Sequence, residues 1–139
     1  MVIVLAGFGI LGFGMLSLQR AKSQRILRIN QASPELQAAV HEAQSSLPAF
    51  VKELKAASPN ARFAMKGTFP TDAGNEYLWV KDPVINGSVF TGTLDQQPIA
   101  LKTSSKGDTV PVNQADVVDW LIKDSAGNRG GFTERVLTK

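Results

Sequence analysis

Along this chain the spacing of apolar positions changes character three times. Residues 1–18 contain no charged side chain, and Ser17 is their only polar one. A helix needs roughly 20 apolar residues to cross a bilayer core of about 30 Å, so the run is just long enough to span. Residues 19–32 then hold Arg20, Lys22, Arg25 and Arg28 without Gly or Pro, so the helix continues to about Gln31 or passes into a basic linker. Ser33-Pro34-Glu35 reads as an N-cap, a first-turn proline and an early acid. Leu36, Val40, Ala43 and Leu47, then Phe50, Val51, Leu54 and Ala57, recur at helical spacing with Pro48 between them. This pattern predicts one kinked helix or two short ones, ending at Ser58-Pro59-Asn60.

From Ala61 the period falls to two. Phe63, Met65, Gly67 and Phe69 alternate with Arg62, Ala64, Lys66 and Thr68, as in a half-buried strand. A turn cluster at Pro70–Asn75 precedes a second strand over Glu76–Lys81, and Asn86-Gly87 is a strong hairpin signal before Ser88–Leu94. Ile99–Lys102 and Thr109–Val112 read as further strands. Asn113–Asp116 suits a short helical turn, Val117–Ile122 another strand, and Phe132–Leu137 a last element after Gly127–Gly131. The fold class expected is α+β: an N-terminal transmembrane helix, then a helix packed on a small, curled antiparallel sheet of five or six strands. The domains are 1–19 as membrane anchor, 20–32 as basic juxtamembrane segment and 33–139 as a soluble unit.

Charge sharpens this division. The 139 residues carry a formal net charge of +3, yet residues 31–139 hold eleven basic against twelve acidic residues. The excess belongs to Arg20, Lys22, Arg25 and Arg28, not to the folded surface, so nucleic acid is not an expected partner. Positive charge directly after the span, with none before it, directs the carboxyl domain to the cytoplasm. The localisation expected is a single-pass protein of the bacterial inner membrane, with the bilayer as a partner. The alternative is a cleaved signal peptide and a periplasmic domain, although no basic n-region or small-x-small cleavage site is evident. Gly7-Phe8-Gly9-Ile10-Leu11-Gly12 also matches a dinucleotide fingerprint, but no acid stands where the ribose would be read and no further strand–helix units follow.

With no cysteine and a single histidine, disulfides, thiolate metal sites and His-rich metal sites are excluded. His41 has only Ser45 within a helical turn, without an oxyanion partner. The acids Asp116, Asp119 and Asp124 sit near turns, where acids usually cap. No metalloprotease, nucleophile-elbow or phosphate-loop motif occurs, so no catalytic residue, metal or cofactor is assigned. Tyr77 and Trp79 share one strand face opposite Leu78 and Val80. If the latter pair is buried, the former are free to make an aromatic contact surface; the alternative places the indoles in the core. Gly130-Gly131 offers positive-φ backbone beside Thr133 and Arg135, either to cup an anion or to form a tight turn with Arg135 pairing Glu76 or Asp119.

Several segments occur in a telling order: Ala43…Leu47-Pro48-Ala49-Phe50, Phe63-Ala64-Met65-Lys66, Glu76-Tyr77-Leu78-Trp79-Val80, Phe90-Thr91-Gly92-Thr93-Leu94, Gly107-Asp108-Thr109-Val110, Asp119-Trp120 and Gly130-Gly131-Phe132-Thr133-Glu134-Arg135. Together, over about residues 43–137, they resemble the YegJ-like family of uncharacterised bacterial proteins. Gln96 departs from that pattern, which leads one to expect Asn. The resemblance implies a compact domain and brings no reaction, cofactor or catalytic residue. The function expected is therefore a membrane-tethered, non-enzymatic module that binds a protein or ligand through Lys66, Tyr77, Trp79 and Arg135. The alternative is a small hydrolase or transferase of unfamiliar type using His41 or an acid of 116–124.

Overall fold

The computed structural model describes residues 33–138. The expected anchor, residues 1–19, and the basic segment 20–32 lie outside the described residues. Among the described residues, no helix is long and apolar enough to cross a membrane.

The first helical stretch divides as its prolines dictate. Helix α1 spans Pro34–Ser45, capped by Ser33, whose Oγ accepts the Leu36 N–H at 3.1 Å. Helix α2 spans Leu47–Ala56, with Pro48 in its first turn. Proline has no N–H for the helical ladder and its ring crowds the preceding turn, so the two helices cannot merge. Ser46 stands at the break, and its hydroxyl donates to the Glu42 carbonyl at 2.7 Å. Helix α2 stops at Ala57, in the left-handed conformation with φ 54°.

Six strands follow: β1 (Arg62–Thr71), β2 (Gly74–Asn86), β3 (Val89–Leu94), β4 (Thr109–Asn113), β5 (Val117–Asp124) and β6 (Gly127–Gly130), closed by helix α3 (Phe132–Leu137). They form one antiparallel sheet in the order β4-β3-β2-β1-β5-β6. Asn86 pairs with Val89, so Gly87 and Ser88 are the central turn residues, one position later than the Asn-Gly signal implied. Ile99–Lys102, expected as a strand, is irregular. The buried Glu76 carboxylate accepts the N–H groups of Ile99, Ala100 and Leu101 at 2.7, 3.1 and 2.8 Å, taking the donors a strand ladder would have used.

The sheet is curled without closing. The 3₁₀ turn Gln114–Asp116 carries the chain from β4 to β5, which are separated in the sheet by three other strands. Flat spacing would set those two strands about 19 Å apart, whereas the connection reaches at most about 14 Å. The sheet bends to make the join, and β1 comes so close to β4 that a Cβ on Gly67 would lie 2.9 Å from Val112.

The concave face is the main core. Phe63, Met65, Phe69, Leu78, Val80, Phe90, Val112, Val117, Trp120 and Ile122 are buried there. Phe50 of α2 plugs the mouth, its ring 6.0 Å from Phe63, 6.0 Å from Phe90 and 5.5 Å from Trp120. The Trp120 indole N–H donates to the Ala43 carbonyl at 3.2 Å and to Ser46 Oγ at 3.0 Å, fastening α1 to β5. At the far side Arg129 of β6 pairs with Glu53 and, at 3.1 Å, with Asp124. The β4 edge has its own device. Leu94 and Gln114 donate across the β3–β4 ladder to Asp108 and Ser88, so the intervening Thr91–Pro111 pair is a non-hydrogen-bonded one. The Pro111 nitrogen therefore points to the free edge, where it has no hydrogen to offer.

Candidate functional site

On the convex face the same alternation produces a second buried layer, and it is charged. Lys66 of β1 stands directly between Trp79 of β2 and Asp119 of β5. All three are buried, Lys66 at 1% exposure and Trp79 at 1%. The lid over them is α3. Gly130 and Gly131 carry positive φ values of 90° and 70°, which swing the chain from the β6 edge onto the convex face. A Cβ on Gly130 would sit 2.2 Å from the Trp120 carbonyl oxygen, so no other residue fits that corner.

Asp119 receives the helix. Its Oδ1 accepts the N–H groups of Trp120 at 2.8 Å and Phe132 at 3.1 Å. Its Oδ2 accepts the Thr133 N–H at 3.0 Å and the Thr133 hydroxyl at 2.5 Å. Thr133 Oγ1 in turn accepts from Lys66 Nζ at 2.8 Å, so a hydroxyl links ammonium to carboxylate. Lys66 Nζ also lies 5.2 Å over the Trp79 ring, a cation–π arrangement. Burial pulls the Lys66 ammonium below its ordinary value, while Glu134 and Asp119 pull it back up. Burial pushes the neighbouring Glu134 carboxyl above the usual carboxylate range; Lys66 opposes this, and Asp119 adds to it. The Trp79 indole N–H faces the Glu134 carboxyl and helps to draw it back down, and no other acceptor meets it.

These positions correct the expected binding face. Tyr77, Trp79 and Lys66 do share the convex face, as the alternation implied, but they do not form an open surface. Trp79 and Lys66 lie under α3, and Tyr77 is half-buried against Leu36 and Leu137. Burial also raises the Tyr77 hydroxyl above its ordinary value, against a hydrogen bond to Asn75. Arg135 is exposed, its guanidinium donating to the Gly130 carbonyl at 2.6 Å and lying 5.1 Å over the Phe132 ring; it pairs with neither Glu76 nor Asp119. His41 is exposed on α1, and the Ser45 hydroxyl donates to the Glu42 carbonyl instead of to it. Asp116 is exposed, and Asp124 is taken by Arg129. No group of metal-ligating side chains is found among the described residues.

The described residues also form an open groove away from this layer. A groove of about 800 Å³ runs between the α1–α2 break and the ends of β2 and β4. Leu47, Pro48 and Val51 give it an apolar wall, and Gln44, Ser88, Asn113 and Gln114 give it amide and hydroxyl groups. Among the described residues that line it, none is charged. Its frame is fixed by the Gln44 side-chain N–H to Val117 carbonyl bond at 3.4 Å and the Gln114 N–H to Ser88 carbonyl bond at 2.9 Å. No motif marks it in the chain, because its residues come from helix, hairpin and 3₁₀ turn at once.

A family model described as "Uncharacterized protein conserved in bacteria (DUF2314)" matches residues 33–139. No curated protein and no solved structure matches the chain.

Proposed function

We propose that this chain, which belongs to that family of uncharacterised bacterial proteins, is a non-enzymatic binding module held at a membrane by its N-terminal apolar run. The finer YegJ-like identity, resting on the ordered motifs from Ala43 to Arg135, is part of the same proposal. So is the cytoplasmic placement of the domain, which rests on Arg20, Lys22, Arg25 and Arg28.

The observation that carries the reading is the uncharged groove. A wall of Leu47, Pro48 and Val51 favours apolar side chains, while Gln44, Asn113 and Gln114 each offer both a donor and an acceptor. Paired donor and acceptor groups suit a peptide backbone, and the lack of charge disfavours ionic ligands. The occupant this chemistry fits is an uncharged, extended polypeptide segment with apolar side chains.

The test is selection of displayed random peptides against the full chain in lipid nanodiscs. Uncharged, apolar-rich peptides are expected to be enriched, and Ala115→Lys, at an exposed position of the groove lining, is expected to weaken them at least tenfold with the unfolding midpoint nearly unchanged. Enrichment of charged peptides, no enrichment, or binding indifferent to Ala115→Lys overturns the reading.

A further inference from the structure

The groove suits an uncharged, extended segment with apolar side chains, and the chain itself carries one. Residues 1–18 hold no charged side chain. Within them Val2-Ile3-Val4-Leu5 opens on three successive β-branched residues, which favour extended backbone. The groove offers such a backbone a partner. Asn113 lines it and ends β4, the outermost strand on that side of the sheet. Because Gln114 donates to Ser88, the neighbouring Val89–Asn113 pair is a non-hydrogen-bonded one, and the Asn113 N–H points away from β3. A main-chain donor at the lip of an apolar groove is the kind of group an extended segment pairs with. Pro111 confines that pairing to this end of the strand.

Reach is ample. Residues 6–32 separate Leu5 from Ser33, twenty-seven in all. Even at a helical rise of about 1.5 Å each they cover about 40 Å. The groove wall begins where α1 ends, and the twelve residues of α1 set that end about 18 Å from Ser33. Arg20, Lys22, Arg25 and Arg28 fall in the stretch between, where they need not enter an uncharged site.

We propose that residues 2–5 occupy the groove of their own chain whenever the apolar run is out of a bilayer, and that membrane insertion empties the groove for its partner. This rests on the reading of the groove as a peptide site. The two resting places differ in how much they cover. A bilayer takes all of residues 1–18 out of water, while the groove takes about four of them. The bilayer therefore wins where both are offered, and the groove holds the segment in its absence. A segment on its own tether stands at an effective concentration of roughly millimolar, so an outside peptide has to displace it. The module is closed in solution and open at a membrane.

The chain has no cysteine, so an introduced pair reads proximity without background. Ile3→Cys is combined either with Ala115→Cys, at the exposed lining of the groove, or with Asp72→Cys, exposed in the β1–β2 turn at the far end of β2. Under mild oxidation in lipid-free buffer, the full chain is expected to close the first pair within one molecule at least tenfold faster than the second. In nanodiscs of phosphatidylcholine and phosphatidylglycerol that preference should disappear. Equal rates for the two pairs, a preference that persists in nanodiscs, or disulfides that form only between molecules overturn the proposal. The unmodified chain supplies a second measurement. Apolar peptides selected on nanodiscs should bind the lipid-free chain at least tenfold more weakly, and equal affinity in the two settings also overturns it. Peptide binding in nanodiscs without a disulfide preference rejects self-docking alone. No peptide binding in nanodiscs rejects the groove reading and this proposal with it.

Discussion

The two tryptophans stand on opposite faces of one sheet, on strands that both flank β1, and they are buried in different ways. Trp120 pairs with Met65 on the concave side, stacks near Phe50 and gives its N–H two acceptors. Trp79 pairs with Lys66 on the convex side and lies under a charged layer, where its N–H faces the Glu134 carboxyl and meets no other acceptor. The first face is held by area and shape, contributions that scale with apolar surface removed from water. The second joins two small apolar clusters, Ala64–Trp79–Leu121 and Leu36–Leu137 with Tyr77, to directed bonds, which weigh most when one partner is taken away. A single sheet thus combines a continuous apolar face with one whose burial also depends on polar groups keeping their partners.

Substitutions can break or sharpen that contrast. Trp120→Ala removes the largest ring of the concave core and the link to α1, and it is expected to cost about 3–5 kcal/mol. Equilibrium denaturation would show it, and a loss below about 1 kcal/mol would deny the indole its role. Asp119→Ala comes next, at about 3 kcal/mol, because it strands three backbone N–H groups and the partner of a buried cation. Its damage should fall first on α3, visible as proteolytic nicking after β6 while the sheet still resists. The smallest effect is the most discriminating. Trp120→Phe discards a bonded N–H and should cost about 1–2 kcal/mol. Trp79→Phe empties the same ring volume but gives up only an N–H that approaches Glu134, so it should cost about 1 kcal/mol less than Trp120→Phe, and equal losses at the two sites would erase the distinction between the indoles.

The concave face was legible from the residues because period-two alternation and burial coincide there. Phe63, Met65, Phe69, Leu78 and Val80 all face the core as the pattern implies. The kink at Pro48 and the 3₁₀ turn at Gln114–Asp116 were legible for the same reason: local chemistry decides them. The convex layer was not. Alternation set Lys66 opposite the apolar positions of its strand, and Asp119 read only as an acid near a turn, since the helix that covers both begins 66 residues beyond Lys66 in the chain. The Gly130-Gly131 pair was the available signal, read as an anion cup or a tight turn, and it is the corner that folds the lid over. Ile99–Lys102 failed similarly. Its apolar pattern suits a strand, but Glu76, more than twenty residues upstream, claims its N–H groups. The groove was missed outright, because none of its parts is distinctive until the curl of the sheet brings them together.

Pro111 carries a consequence for how many such molecules can crowd together. An exposed sheet edge invites a strand from a neighbour, and each added strand offers a fresh edge to the next, so one contact can seed a fibre. At β4 the incoming strand would meet a pyrrolidine ring in the middle of a five-residue stretch and would have to leave a carbonyl dry and unmatched. One imino acid at one outward-facing position therefore acts as a brake on polymerisation, placed on the longer of the two free margins of the sheet.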